Sequence, residues 1–167
     1  MSRRDFRGES GPVVIRIMKY VILLLILAFI VLLLLYASGS SKPFQEVEAA
    51  VSQALDKSEL TEQEASSFKR NFGLNAADYS GVMYYSSEAA ISAEEVLLVR
   101  VNSEEQIQEV RDAIEEWIQS KKEDFDGYAP EEVKLLEDAR QSVRGKYIFF
   151  AASSKADEYL DVFNRNL

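Results

Sequence analysis

The sequence contains no cysteine and no histidine, and each absence excludes a class of chemistry. Without cysteine the chain forms no disulfide and carries no lipid on a processed N-terminal cysteine, so its core must be sufficient alone. Histidine is the commonest general base and the commonest transition-metal ligand. Its absence excludes a Ser-His or Cys-His nucleophile pair and argues against zinc and haem sites of the ordinary type. We therefore expect no metal and no cofactor.

One long hydrophobic run is present near the start of the chain. Residues 20–37 are 18 consecutive positions without a charge, a glycine or a proline. As a helix this run is about 27 Å long, close to the roughly 30 Å hydrocarbon core of a bilayer. Its side chains are apolar all round, unlike those of an amphipathic helix in a soluble domain. The run predicts a transmembrane anchor, with the lipid bilayer as the partner of residues 20–37.

The charges around this run predict its orientation. Five basic residues precede it, and Lys42 is the first basic residue after it. Because Lys and Arg are retained on the cytoplasmic side, we expect the N-terminus inside and the rest of the chain outside. The sequence thus predicts a single-pass protein of the cell membrane. Its expected parts are a cytoplasmic tail (1–19), the anchor (20–37), a linker (38–42) and an extracytoplasmic domain (43–167).

A cleaved signal peptide is the alternative to this anchor. Ala37, Ser38 and Gly39 have the small side chains that a signal peptidase requires. However, the apolar region of a signal peptide usually spans about 7–15 residues, and this run is longer. The sequence favours an uncleaved anchor and leaves cleavage near Gly39 open. Both alternatives predict that the domain lies outside the cytoplasm.

The exported part is long enough for one domain and strongly acidic. Residues 1–41 hold five of the 19 basic and two of the 28 acidic residues, which leaves 14 basic and 26 acidic residues. The resulting net charge of −12 repels nucleic acid, so we expect no nucleic-acid partner. An acidic surface is also an ordinary way to remain soluble.

The hydrophobic pattern of residues 43–167 predicts an α+β domain. About five amphipathic helices alternate with three apolar segments, 79–85, 95–101 and 144–152, which are typical of strands. The second helix is expected to begin with a capping box formed by Thr61 and Glu64. Two of the three strands are apolar on both faces, so either helices cover both sides of the sheet or one side meets a partner. The predicted fold is one transmembrane helix followed by a three-stranded sheet packed by about five helices.

From Val82 onward five segments carry a resemblance to a known family: 83–85, 93–99, 122–130, 135–137 and 145–150. Through them the chain resembles an uncharacterised bacterial family, domain of unknown function 4358 (DUF4358). The resemblance implies a short exported domain that is anchored by an N-terminal helix or by a lipid, mainly in Gram-positive bacteria of anaerobic type. It implies no catalytic or binding residue, because the family has no assigned activity. This chain departs from the lipid-anchored members because it has no cysteine.

The most distinctive motif is KEDFDGYAP at 122–130. Aligned as an EF-hand on Gly127, it has Lys122 and Val133 where acidic ligands are required, so it is not a calcium loop of that kind. The favoured interpretation is architectural: a helix ends at Asp126 and Gly127, and another begins at Pro130. The alternative is a partner-binding corner built from Phe125, Asp126, Gly127 and Tyr128, since binding sites favour aromatic residues on loops held by a rigid scaffold.

Tyr84 and Tyr85 are the other candidate partner-binding residues. Together with Tyr79 and Tyr147 they are predicted on strands, where they could form a sugar- or peptide-binding face. Packing within the sheet is the favoured interpretation, because aromatic residues are common in strands.

The sequence contains no catalytic motif, and its adjacent glutamate pairs diverge on a helix or strand rather than forming a dyad. We expect a non-enzymatic domain that binds an envelope protein or peptide. The alternative is a hydrolase of cell-wall or peptide material that uses Asp and Glu chemistry.

Overall fold

The computed structural model describes residues 11–37 and 42–167 of the chain, which divides into two compact units, Met1–Ser38 and Gly39–Leu167. In the first unit the described residues form one helix, α1, which spans Gly11–Ala37 and includes the predicted anchor 20–37. Within the residues whose side chains are described, 17–31 and 42–167, no helical stretch is both long and apolar enough to cross a membrane. Residues 38–41 of the predicted linker and residues 1–10 of the predicted tail lie outside the described residues.

The second unit contains five α-helices, the number that the hydrophobic pattern predicts. They are α2 (Phe44–Ala54), α3 (Ala65–Phe72), α4 (Glu105–Phe125), α5 (Pro130–Glu137) and α6 (Ala156–Arg165), with a 3-10 turn at Ala76–Asp78. Two of the expected helix boundaries are present. Gly73 ends α3 in the left-handed region, with φ 71°, and donates its N–H to the carbonyl of Lys69. Pro130 begins α5, a position whose N–H has no partner within a helix, so the missing N–H of proline costs no hydrogen bond.

The sheet has five strands rather than the predicted three. They are β1 (Thr61–Glu62), β2 (Gly81–Ser86), β3 (Glu95–Arg100), β4 (Arg140–Arg144) and β5 (Tyr147–Ala152), and all neighbouring pairs are antiparallel in the order β1-β2-β3-β5-β4. Both additional strands are at the edges. The pattern did not reveal them because β1 has only two residues and β4, with the sequence RQSVR, is largely polar.

The predicted capping box at Thr61 is wrong. Thr61 lies in β1 opposite Ser86, and α3 begins at Ala65 without a side-chain cap. The next residue along the chain, Gln63, donates its N–H to the carbonyl of Tyr84 at 2.8 Å. Pairing with the sheet edge therefore satisfies this backbone and outweighs the local capping preference.

Helices cover both faces of the sheet, which is the first of the two alternatives that the doubly apolar strands predicted. On one face Leu97, Val99 and Phe150 pack under α3, α4 and α5, and Trp117 meets Phe150 edge-on with ring centroids 5.8 Å apart. On the other face the core lies under α2 and α6. Its buried side chains include Val47, Leu98, Phe149 and Phe163, and the rings of Phe149 and Phe163 stack at 5.1 Å. The domain is thus a three-layer α+β fold with the sheet at its centre.

Candidate functional site

The predicted corner lies where α4 ends and α5 begins. Phe125 is the last residue of α4 and is only 4% exposed, Asp126 follows it, and Gly127 has φ 81°. The left-handed glycine and Pro130 at the start of α5 confirm the architectural interpretation of the motif. Tyr128 is different, because 60% of its surface is exposed and its ring meets that of Phe125 edge-on at 6.1 Å. The corner therefore presents one aromatic ring to the outside.

Tyr84 and Tyr85 do not form a common binding face. As neighbours on β2 they point to opposite sides of the sheet, and both are buried. The Tyr84 hydroxyl accepts a hydrogen bond from Asn71 Nδ2 at 2.6 Å, and the Tyr85 hydroxyl donates to Glu62 Oε2 at 3.3 Å. Both rings belong to the core, and only Tyr84 lies on the side of the sheet that carries the corner.

A groove is present between α3, the C-terminal part of α4 and the loop 87–94. It consists of two hollows, one of about 630 Å³ and one of about 360 Å³. The two hollows adjoin, because they share Arg70, Asn71, Lys121 and Asp124 as lining residues. The larger hollow also reaches the corner. The uncharged polar side chains that line it are Gln63, Asn71, Ser86, Ser87 and Ser92, and its aromatic lining is Phe125 and Tyr128.

Besides Glu95, the larger hollow is lined by two basic and two acidic side chains. Arg70 and Lys121 are basic, and Glu88 and Asp124 are acidic. Lys121 Nζ lies 5.9 Å from the centre of the Phe125 ring, which is within the range of a cation–π contact. In the described part of the chain no group of three or more Asp or Glu side chains is placed to hold a metal ion.

The most unusual group in the groove is Glu95, the first residue of β3. It lines the larger hollow yet is only 6% exposed. Burial raises the pKa of its carboxyl from 4.5 to about 8, while hydrogen bonding to the Tyr84 hydroxyl and the charge of Lys121 act in the opposite direction. At neutral pH the carboxyl is therefore mostly protonated. The pKa of Tyr84 is itself raised, by burial first and by the charge of Glu95 second.

A second unpaired polar group lies in the same groove. Trp117, the single tryptophan of the sequence, lines the smaller hollow and is 4% exposed. Its Nε1 and the Oε2 of Glu95 are the two buried side-chain polar atoms without a hydrogen-bond partner among the described residues. Because buried polar atoms are nearly always paired in folded proteins, two exceptions in one groove require an explanation.

Sequence reasoning missed both groups. In the sequence Glu94 and Glu95 are one of the adjacent glutamate pairs that form no dyad, and Trp117 belongs to the apolar stripe of an amphipathic helix. A usable signal existed for Glu95, because strand alternation places it on the same face as Leu97 and Val99, which are fully buried. No sequence signal distinguishes Trp117 from an ordinary core tryptophan, because its unpaired nitrogen depends on how α3 packs beside it.

Comparison with known proteins identifies a family for most of this unit. A family model described as Domain of unknown function (DUF4358) matches residues 53–153. This match confirms the resemblance and extends it toward the N-terminus, so that it includes α3 and both walls of the groove. No curated protein and no solved structure matches the chain.

Proposed function

The chain is a member of the DUF4358 family, and we propose that it is a single-pass membrane protein whose α+β domain lies outside the cytoplasm. There the domain binds an envelope protein or peptide without changing it chemically. The proposed binding site is the groove, with Tyr128 at its corner. The observation that carries this function is Glu95, a buried carboxyl that lines the groove with one oxygen unpaired.

Support for the anchor comes from the apolar run itself. Residues 20–37 contain no charge, and α1 extends over them and beyond. The large apolar side chains described between residues 17 and 31 are exposed, including Leu23, Leu24 and Phe29 at 60% or more. Such a continuous apolar surface is unfavourable in water and suits the interior of a bilayer. The basic residues before the run support a cytoplasmic N-terminus.

Support for binding comes from the size and lining of the groove. Its larger hollow, of about 630 Å³, is within the range of ligand sites in proteins. Tyr128 is exposed beside it, and exposed aromatic residues at such positions are frequent anchors for partners. A bound partner that displaces the side chains covering the unpaired oxygen of Glu95 would donate a hydrogen bond to it and remove the cost of leaving it unpaired.

The test is a crosslinking pull-down of the tagged full-length chain from intact cells. We expect the chain to remain in carbonate-washed membranes and its domain to be degraded by protease added outside. We expect a partner that is captured by the wild type and is reduced about tenfold by Tyr128→Ala, the effect of losing an anchor residue. Val143→Ala, which truncates an exposed apolar side chain of β4, is the matched control and should capture the partner normally.

Each readout can contradict one part of the proposal. A mature N-terminus near Gly39 would show cleavage and a released domain instead of an anchor. A protected domain would place it on the cytoplasmic side. Equal capture by the wild type and Tyr128→Ala would show that the corner is not part of the binding site.

A hydrolase is the second candidate, favoured by one specific observation. A protonated, buried Glu95 suits a general acid, and the carboxylate of Asp124 lines the same hollow and could act as a base. Incubation of the chain with peptidoglycan fragments and peptides, followed by mass spectrometry, distinguishes the two functions. Products that disappear in Glu95→Gln would establish an enzyme, whereas binding without products supports the first proposal.

A further inference from the structure

The groove consists of two adjoining hollows, and each of them contains an unpaired polar group. Glu95 lines the larger hollow and Trp117 the smaller one, and the two hollows adjoin at Asn71 and Lys121. A ligand that satisfies both groups must therefore extend across both hollows.

The chemistry of the two groups restricts the ligand further. Trp117 Nε1 carries a hydrogen and can only donate, so it requires an acceptor. The Glu95 carboxyl donates when it is protonated and accepts when it is ionised. A peptide main chain offers both kinds of group in every residue, at a spacing of about 3.3 Å when it is extended.

The balance of charge indicates what side chains such a peptide would carry. Besides Glu95, which is mostly protonated at neutral pH, the larger hollow is lined by two basic side chains, Arg70 and Lys121, and by two acidic ones, Glu88 and Asp124. A charged side chain of either sign would lose its hydration there and would meet charges of its own sign as well as opposite ones. An apolar side chain, in contrast, would find the exposed ring of Tyr128 at the corner.

We infer that the groove binds an uncharged peptide segment in extended conformation, whose main-chain groups pair with Glu95 and with Trp117 Nε1 and whose apolar side chain packs on Tyr128. This inference rests on the proposed binding function and names its ligand.

The experiment uses the full-length chain in detergent micelles, where Trp117 is the only tryptophan and reports on its own site. The probes are acetylated and amidated hexapeptides of Ala, Val, Leu, Ser, Asn and Tyr. Comparison sets carry two lysines or two glutamates, and a chitin tetrasaccharide serves as an uncharged ligand without peptide groups. We expect a saturable change in tryptophan emission with uncharged peptides and binding at least about tenfold weaker for both charged sets.

Variants test the two contacts, with affinities measured by calorimetry. Trp117→Phe removes the donor, and Glu95→Leu removes the carboxyl, so each should weaken binding about 3- to 10-fold. Glu95→Gln keeps a neutral donor of the same shape and should bind within about twofold of the wild type at pH 7. Glu158→Gln, an exposed position of α6, is the matched control and should have no effect. Circular dichroism checks that every variant is folded. If Glu95→Leu does not fold, Glu95→Gln keeps the test of this position valid.

Several results would overturn the inference. These are tighter binding of a charged set, binding of the tetrasaccharide in place of the peptides, no saturable peptide binding, or unchanged affinity in both Trp117→Phe and Glu95→Leu. If no hexapeptide binds but the pull-down still finds a partner that depends on Tyr128, the peptide inference is wrong and the binding function stands. If both experiments fail, the binding function is wrong as well.

Discussion

The stability of the protein should depend on pH through Glu95. Its carboxyl is 6% exposed, and burial raises its pKa from 4.5 to about 8. Between these two values the folded protein keeps a proton that the unfolded chain releases. Because the folded state then binds more protons, the free energy of unfolding falls as the pH rises. The destabilisation is absent below about pH 4.5 and is complete above about pH 8.

The magnitude follows from the size of the shift. Each unit of pKa difference corresponds to about 1.4 kcal/mol, so a shift from 4.5 to about 8 corresponds to a loss on the order of 5 kcal/mol. About 3 kcal/mol of this loss has already occurred at pH 7. Glutamine has the same shape and no charge at any of these pH values. Glu95→Gln should therefore match the wild type near pH 4 and exceed its stability by several kcal/mol at about pH 9.

The assay is urea unfolding of the full-length chain in micelles, followed by the emission of Trp117 at a series of pH values from about 4 to about 9. The quantity of interest is the difference in unfolding free energy between the wild type and Glu95→Gln, because it cancels the titration of all other groups. Val143→Ala, which shortens an exposed side chain without a titratable group, should give a difference that does not vary with pH.

Two results would refute this reasoning. A constant difference between the wild type and Glu95→Gln would mean that the carboxyl is solvated in the folded protein. A wild type that gains stability relative to Glu95→Gln as the pH rises would mean that Lys121 stabilises a buried carboxylate.

Two further substitutions test the packing and the hydrogen bonds of β2. Gly81→Ala places a methyl group against the ring of Phe44, so we expect a loss of about 1–3 kcal/mol in the urea-unfolding free energy, and an unchanged midpoint would contradict the close contact. The Tyr84 hydroxyl accepts a hydrogen bond from Asn71, and its hydrogen bond with Glu95 lowers the pKa of that carboxyl. Tyr84→Phe removes this hydroxyl, so a carboxyl-carbon NMR titration should show a higher Glu95 pKa than in the wild type.

The main elements of the fold could be predicted because their patterns are strong. The five helices show apolar positions at helical spacing, and 95–101 and 144–152 are apolar on both faces. Such strands must be covered on both sides, and the structure places α3, α4 and α5 on one side and α2 and α6 on the other. Local signals such as Gly73 and Pro130 then identified where helices end and begin.

The edge strands could not be predicted, because an edge is defined by its neighbour and not by its own residues. Thr61 and Glu62 pair with β2 over two residues only, and the sequence offered a capping motif at the same place. The strand β4 is half exposed and polar, and it becomes a strand because it pairs with β5 across the turn at Gly145. Tertiary hydrogen bonds decided both cases.

The candidate site shows the same division between local and tertiary information. The corner at 125–128 was visible because glycine and aromatic residues mark it, and its architecture is as predicted. The groove beside it could not be predicted from the sequence, because it forms only when the C-terminal part of α4 lies next to α3 and the loop 87–94. The corner can be architectural and bind a partner at the same time, because Phe125 is buried and holds the corner while Tyr128 is exposed at the surface.

The distribution of unfavourable groups is the strongest argument that the groove is the functional part of the domain. A neutral apolar side chain at position 95 would fit a face shared with Leu97 and Val99 and would not lower stability as the pH rises. The loss expected from Glu95 is large beside a typical total stability of about 5–15 kcal/mol. In the described part of the chain the two unpaired buried polar atoms belong to Glu95 and Trp117, and both residues line this one groove. Natural sequences violate the rules of a stable core mainly at functional sites, so their concentration here favours a bound ligand over chance.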